Sequence, residues 1–337
     1  MAIFSVLCAL MISMTYDISA EAPFFEAAPI FDFDESHREN HASTIAQMPN
    51  GDLFVTWFGG TKEGMPDVAL WASRRPEGSK TWSKPAPLVD NQGLAEGNSV
   101  LFTDSKGKVW LLYVVKFSEV RNDWGKSKLF LQTSLDNGYN WSEPRQVTCN
   151  CAIRNNITEL PDGRLLLPST GSQSSVCISG DGFRTCEVYE APKTKPANNQ
   201  PAIVSLGDGR MLLFARHHNE GGRIWMSTSD DWGRTWLKPW KTKFKNPDSG
   251  ISAIALKSGD IVLAYNDNAW DRTPLNIALS EDGGKSWSYK KTLESRFMEF
   301  SYPFLIEDAD GIIHITYTSD GRRFIKHAEF NEAWLKN

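Results

Sequence analysis

Long hydrophobic runs, clustered basic residues and histidine are all scarce in this 337-residue chain, and each shortage narrows what it can be. No apolar stretch reaches the roughly 20 residues that a membrane-spanning helix needs, so stable membrane insertion is not expected. Thirty-six basic side chains face 41 acidic ones, a formal net charge of −5, with no basic cluster. A nucleic-acid partner is therefore not expected. Only six histidines are present, and none is paired at metal-ligand spacing, so neither a metal nor another cofactor is expected. What the chain has in excess is aromatic: 13 Trp and 18 Phe, beside 25 Gly and 17 Pro. That mixture suits many short strands and turns. Hydrophobic residues at 41% and charged residues at 23% suffice for a buried core and exclude disorder.

The one early apolar run, Ile3 to Ile12, is followed by the small-residue segment Ile18-Ser19-Ala20. Residues 1–20 are read as a secretory signal peptide and 21–337 as a single mature domain, extracellular or periplasmic. Cys8 leaves with the signal, and Cys149, Cys151, Cys177 and Cys186 remain. Cys177 and Cys186 flank the turn signal Gly180-Asp181-Gly182, and a disulfide across that hairpin is expected in an oxidising compartment.

Self-similarity governs the rest of the chain. An apolar run, a glycine-centred turn and a second apolar run recur six times, around Gly51, Gly107, Gly163, Gly209, Gly259 and Gly311. These glycines are 56, 56, 46, 50 and 52 residues apart. Each unit reads as a β-hairpin, because Asn-Gly and Asp-Gly supply the positive φ that tight turns demand. A second pattern interleaves with the first. Ser134-x-Asp136-x-Gly138-x-x-Trp141 returns at identical spacing as Ser229 to Trp236 and Ser280 to Trp287. A stretched copy runs from Ser73 to Trp82, and Ser179-x-Asp181 starts another in which Cys186 stands near the Trp position.

The second pattern is an Asp box, and through it the mature chain resembles the sialidase superfamily, on a shorter, divergent branch. The resemblance implies an all-β, six-bladed β-propeller with the boxes between the third and fourth strands of its blades. The segment around Ile30-Phe31 is expected to close the ring with Phe324 to Phe330. Box turns specify a fold, not a chemistry.

In a propeller the first strands line the central channel, and their starts share one rim with the ends of the second strands. Polar groups gather at those positions: His41, Asn156, Gln200, Arg216, His217 and Asn266, with Arg272 in the following crossing. Arg216 and Arg272 read as a clamp for a carboxylate or sulfate. The resemblance implies three arginines that grip a sugar carboxylate, a Tyr nucleophile paired with Glu, and an Asp acid/base. Arg216 and Arg272 match the second and third arginines. His41 stands where the first is expected, with Arg38 close but out of register. Gln200 stands where Glu is expected. Tyr302 lies two residues past the expected tyrosine position, which holds Phe300, and Glu63 and Asp67 are the acid/base candidates.

Three functions fit this set. The leading one is an exo-glycosidase for a carboxylate-bearing sugar, with Asp67 or Glu63 protonating the leaving oxygen and Tyr302 or water attacking. The second is a polysaccharide lyase on uronic-acid glycans, with His41 or Tyr302 removing a proton. The third is a non-catalytic glycan-binding propeller. In each, the partner is an acidic glycan or oligosaccharide.

Overall fold

The computed structural model describes residues 22–337 except 122, 150, 151 and 220. The expected signal segment and Cys151 thus lie outside the described residues. Six antiparallel sheets follow one another along the chain. Blade one comprises Glu39–Gln47, Leu53–Gly60, Ala69–Arg75 and Ala86–Val89. Blade two comprises Ala95–Thr103, Val109–Lys116, Ser127–Ser134 and Arg145–Val147. In blade three the inner strand is split into Ala152–Ile153 and Thr158–Glu159, followed by Leu165–Thr170, Ser174–Ser179 and Glu187–Glu190. Blade four comprises Asn198–Gly207, Arg210–His217, Gly222–Ser229 and Trp240–Asn246. Blade five comprises Ser252–Ala255, Ile261–Asn266, Leu275–Ser280 and Tyr289–Glu294. Blade six comprises Ser301–Glu307, Ile313–Ser319 and Phe324–Phe330, with Phe25–Pro29 as its outer strand. This is the expected six-bladed propeller.

The six hairpin glycines have φ between +77° and +91°, a conformation that costs a residue with Cβ. The closing strand falls slightly earlier than expected: Phe25 pairs with Phe330 and Pro29 with Lys326. Ile30 and Phe31 are buried, and Phe31 stacks on Trp57 with ring centroids 5.0 Å apart. These two residues seal the seam between the first and last blades, while the exposed Phe25–Pro29 segment takes the sheet edge.

The Ser-x-Asp repeats occupy the turns after the third strands. Ser134 Oγ donates to Asp136 at 2.7 Å and accepts from Gly138 N at 2.9 Å. Ser229 and Ser280 repeat both bonds. Val109 pairs with Ser134, so these turns share a rim with the hairpin glycines. The other rim carries the ends of the second strands.

Blade three departs from the pattern, and the expected Cys177–Cys186 disulfide is not formed. The strand register sets Val188, not Cys186, opposite the buried Cys177. The sulfurs of Cys149, Cys177 and Cys186 instead lie within 4.8 Å of one another. Phe183 stands at the box glycine position, fully buried with φ +61° and edge-on to Trp110. Among the described residues the one α-helix is Glu332–Lys336, and no helix is long and apolar enough to cross a membrane.

Candidate active site

Four of the inner strands begin with a bulge, and in three of them the bulge holds a non-glycine residue at positive φ. They are Ala42 (+55°) in blade one, Gln200 (+48°) in blade four and Tyr302 (+53°) in blade six. Such conformations cost about 1–3 kcal/mol each and cluster where direction matters more than stability. Here they bring Gln200 and Tyr302 onto one guanidinium. Arg216 Nη1 donates to Gln200 Oε1 at 2.8 Å and to the Tyr302 hydroxyl at 2.5 Å. His41 lies against the same phenol, with ring centroids 4.3 Å apart, and its Nδ1 is 2.8 Å from Thr318 Oγ1.

Arg216 ends the second strand of blade four, and its Nε and Nη2 hold Asp248 at 2.8 and 2.6 Å. Arg272 reaches the same place from blade five. Its guanidinium carbon is 5.4 Å from the Tyr302 ring centroid, and it bonds Glu299 at 2.9 Å and the Asp248 carbonyl at 3.0 Å. Arg322, from the loop after the second strand of blade six, bonds Glu299 at 3.2 Å and Glu63 at 2.6 Å. Glu299 thus joins Arg272 to Arg322, and Glu63 joins blade six to blade one.

The charges set the protonation states. Burial pushes His41 well below the ordinary imidazole range, and Arg322, Arg272, Arg154 and Arg216 push it further, so it is neutral near pH 7. Burial alone would raise the Tyr302 phenol, but Arg216 and Arg272 outweigh it and hold the phenol below its ordinary value. Burial likewise would raise Glu299, and Arg272 and Arg322 reverse the direction. A site with several fixed guanidiniums, a neutral imidazole and a phenol held below its ordinary value suits an anionic ligand and a nucleophilic oxygen.

The remaining candidates have other partners. Asp67 ties its own loop, accepting from Thr61 N at 2.8 Å and from Thr61 Oγ1 at 2.9 Å. Asn266 donates to the Phe300 carbonyl at 2.8 Å and the Pro274 carbonyl at 3.2 Å, fastening the segments that carry Tyr302 and Arg272. His217 stacks on Trp225, and its Nδ1 is 3.0 Å from the Asn219 carbonyl. Arg38 pairs with Glu35 in solvent at 2.9 Å. Asn156, expected at this rim, is not there: it donates to the Leu305 carbonyl at 2.8 Å and lines a cavity of about 910 Å³ among the hairpin turns. The split inner strand of blade three is the cause, because the chain advances along the axis between its two pieces. Glu77, Asp104, Glu307 and Asp310 line that cavity without a lysine or arginine, which is the wrong charge for an acidic ligand.

A family model described as a BNR repeat-like domain matches residues 51–315. The chain belongs to this BNR repeat-like family, a divergent branch of the sialidase superfamily. It is 26% identical over 267 residues to a sialidase of Bacteroides fragilis, covering 66% of this chain and 48% of that one. It is 24% identical over 247 residues to an exo-alpha-sialidase of Aspergillus fumigatus, covering 69% and 57%. The match thus spans only about half the length of these curated relatives. Among solved structures, a Hadza microbial sialidase superposes with a TM-score of 0.78 at 18% identity, over 92% of this chain and 69% of that one. The intramolecular trans-sialidase from Ruminococcus gnavus gives 0.73 at 16%, over 91% and 98%. These two share the fold. His41 stands where the family resemblance expects an arginine, and Arg322 is the leading charge acting on it. The segment Ser319-Asp320-Gly321-Arg322 carries a cue like that of Arg216, a cation following the apolar run of a second strand. Glu299, Asp248 and Arg154 had no comparable signal.

Proposed function

We propose that the chain is a secreted exo-glycosidase that hydrolyses the glycosidic bond of a carboxylate-bearing sugar. The supporting observation is the Tyr302 hydroxyl, 2.5 Å from Arg216 Nη1 with Arg272 over the same ring. Arg216, Arg272 and Arg322 take the sugar carboxylate, which displaces Glu63 from Arg322. Tyr302 Oη, ionised beside Arg216 and Arg272, attacks the anomeric carbon as the bond to the leaving oxygen breaks, and protonated Glu63 gives that oxygen its proton. Water then attacks the anomeric carbon, passes a proton to Glu63 and releases Tyr302. Glu63 is preferred to Asp67 because its charge acts on Tyr302, whereas Asp67 is engaged by Thr61. Gln200 cannot accept a proton, so it orients Arg216 and the phenol between them. The test is trapping with a fluorinated acidic-sugar donor followed by peptide mass mapping. An adduct on Tyr302, absent in Tyr302→Phe, is the expected result; turnover without any adduct overturns the nucleophile.

A further inference from the structure

Arg154 is wholly buried in blade three, and no carboxylate partners it among the described residues. Its Nη2 donates to the carbonyls of Tyr302 and Pro303 at 2.6 and 3.0 Å. Its Nε and Nη1 have no hydrogen-bond partner among the described residues. A buried cation without a counter-charge costs several kcal/mol, so something must offset it. Its guanidinium carbon is 5.3 Å from the Tyr302 ring centroid and 5.4 Å from that of Phe304. Burial pushes Arg154 down to about 10, and the one charge opposing that shift is Tyr302. It is therefore still a cation at neutral pH.

The other groups around Tyr302 are accounted for. Arg216 carries Asp248, and Arg272 and Arg322 share Glu299. Glu63, the leading carboxylate acting unfavourably on a Tyr302 anion, is held by Arg322. His41 is neutral and adds no charge, and Gln200 and Gly250 are uncharged neighbours. Every other arginine around the phenol already has a carboxylate.

We propose that Arg154 is a positioning residue for Tyr302: a buried cation beside the ring that favours ionisation of the phenol and pins its left-handed backbone, without touching substrate. The chain thus replaces an acidic partner for its tyrosine, absent at Gln200, by a permanent charge 5.3 Å from the ring centroid. The inference deepens the glycosidase reading and rests on it for its catalytic meaning, but the ionisation itself needs no substrate.

The test is an ultraviolet titration of the phenolate band in the full chain, taken as wild type minus Tyr302→Phe to isolate one phenol. In wild type the midpoint should fall below the ordinary tyrosine value of about 10. In Arg154→Met it should rise by about one pH unit or more. Arg154→Lys keeps the charge and should stay near wild type, and it also serves if the Met variant does not fold. A wild-type midpoint at or above the ordinary value overturns the proposal, as does a folded Arg154→Met with an unmoved midpoint. A depressed, Arg154-dependent midpoint in a protein that cleaves no acidic glycan would instead sink the glycosidase reading alone.

Discussion

Arg322 Nη1 lies 2.6 Å from a Glu63 carboxylate oxygen across 259 residues of sequence. The bond joins the loop between the second and third strands of blade six to the corresponding loop of blade one, across the seam where the ring closes. It places a third guanidinium beside Arg216 and Arg272, from a blade that the family resemblance did not indicate. It also occupies Glu63 until an anion competes for Arg322.

Arg322→Ala should therefore weaken catalysis as strongly as Arg216→Ala. Loss of a charge-assisted contact in a desolvated site costs about 2–5 kcal/mol, or roughly 30- to several-thousand-fold in kcat/KM. Arg272→Lys should not rescue activity, since an ammonium cannot reproduce the fork. Steady-state kinetics on any acidic-sugar substrate checks this; wild-type kcat/KM in Arg322→Ala removes Arg322 from the clamp.

The two acid candidates separate by leaving group. Glu63→Gln should slow release of a poor alkoxide leaving group by about 100-fold or more, yet slow an activated aryl leaving group far less. Asp67→Asn should loosen the loop it ties to Thr61 and affect both substrates alike. The reverse pattern would give the acid role to Asp67.

How much was legible in the sequence follows from what each residue leaves as a local mark. The glycines of the six hairpins and the Ser-x-Asp turns are local conformational demands, so blade number and rim could be read directly. Arg216 and Tyr302 were legible because they stand at strand ends. Arg322 carried the same mark as Arg216 two blades later. Arg154 and Asn156 could not be placed, since the inner strand of blade three is broken and no apolar alternation reports its course. The Cys177–Cys186 pairing failed for a related reason: a turn between two cysteines does not fix the register, and the ladder sets Val188 opposite Cys177.

Gly250 packs against the nucleophile. A Cβ there would lie 3.1 to 3.3 Å from three Tyr302 ring atoms, so Gly250→Ala must displace the phenol by a few tenths of an ångström. kcat should fall by about tenfold, with a smaller change in KM because the arginines are not moved. Unchanged kcat in a folded Gly250→Ala would show that the ring position is not critical.

The box carboxylates predict an acid limb to stability. Hydrogen bonds from Asn140 and Ser134 hold Asp136 down to about 2, and those from Ser286 and Ser280 hold Asp282 down to about 2. A depressed folded-state value stabilises above the unfolded value of about 3.9 and is lost as pH falls through the folded one. Tm should thus drop between about pH 4 and pH 2, and Asp136→Asn with Asp282→Asn should flatten that slope. An equal slope in the double variant would assign acid unfolding to other groups.

The most direct measurement is product analysis on a panel of sialylated, ulosonic-acid and glucuronate-containing glycans, following released acidic sugar together with absorbance from a new C4–C5 double bond. Release without new absorbance, lost in Tyr302→Phe, is the predicted result. Release accompanied by that absorbance would make the protein a lyase, and binding without release would make it a lectin; either contradicts the account.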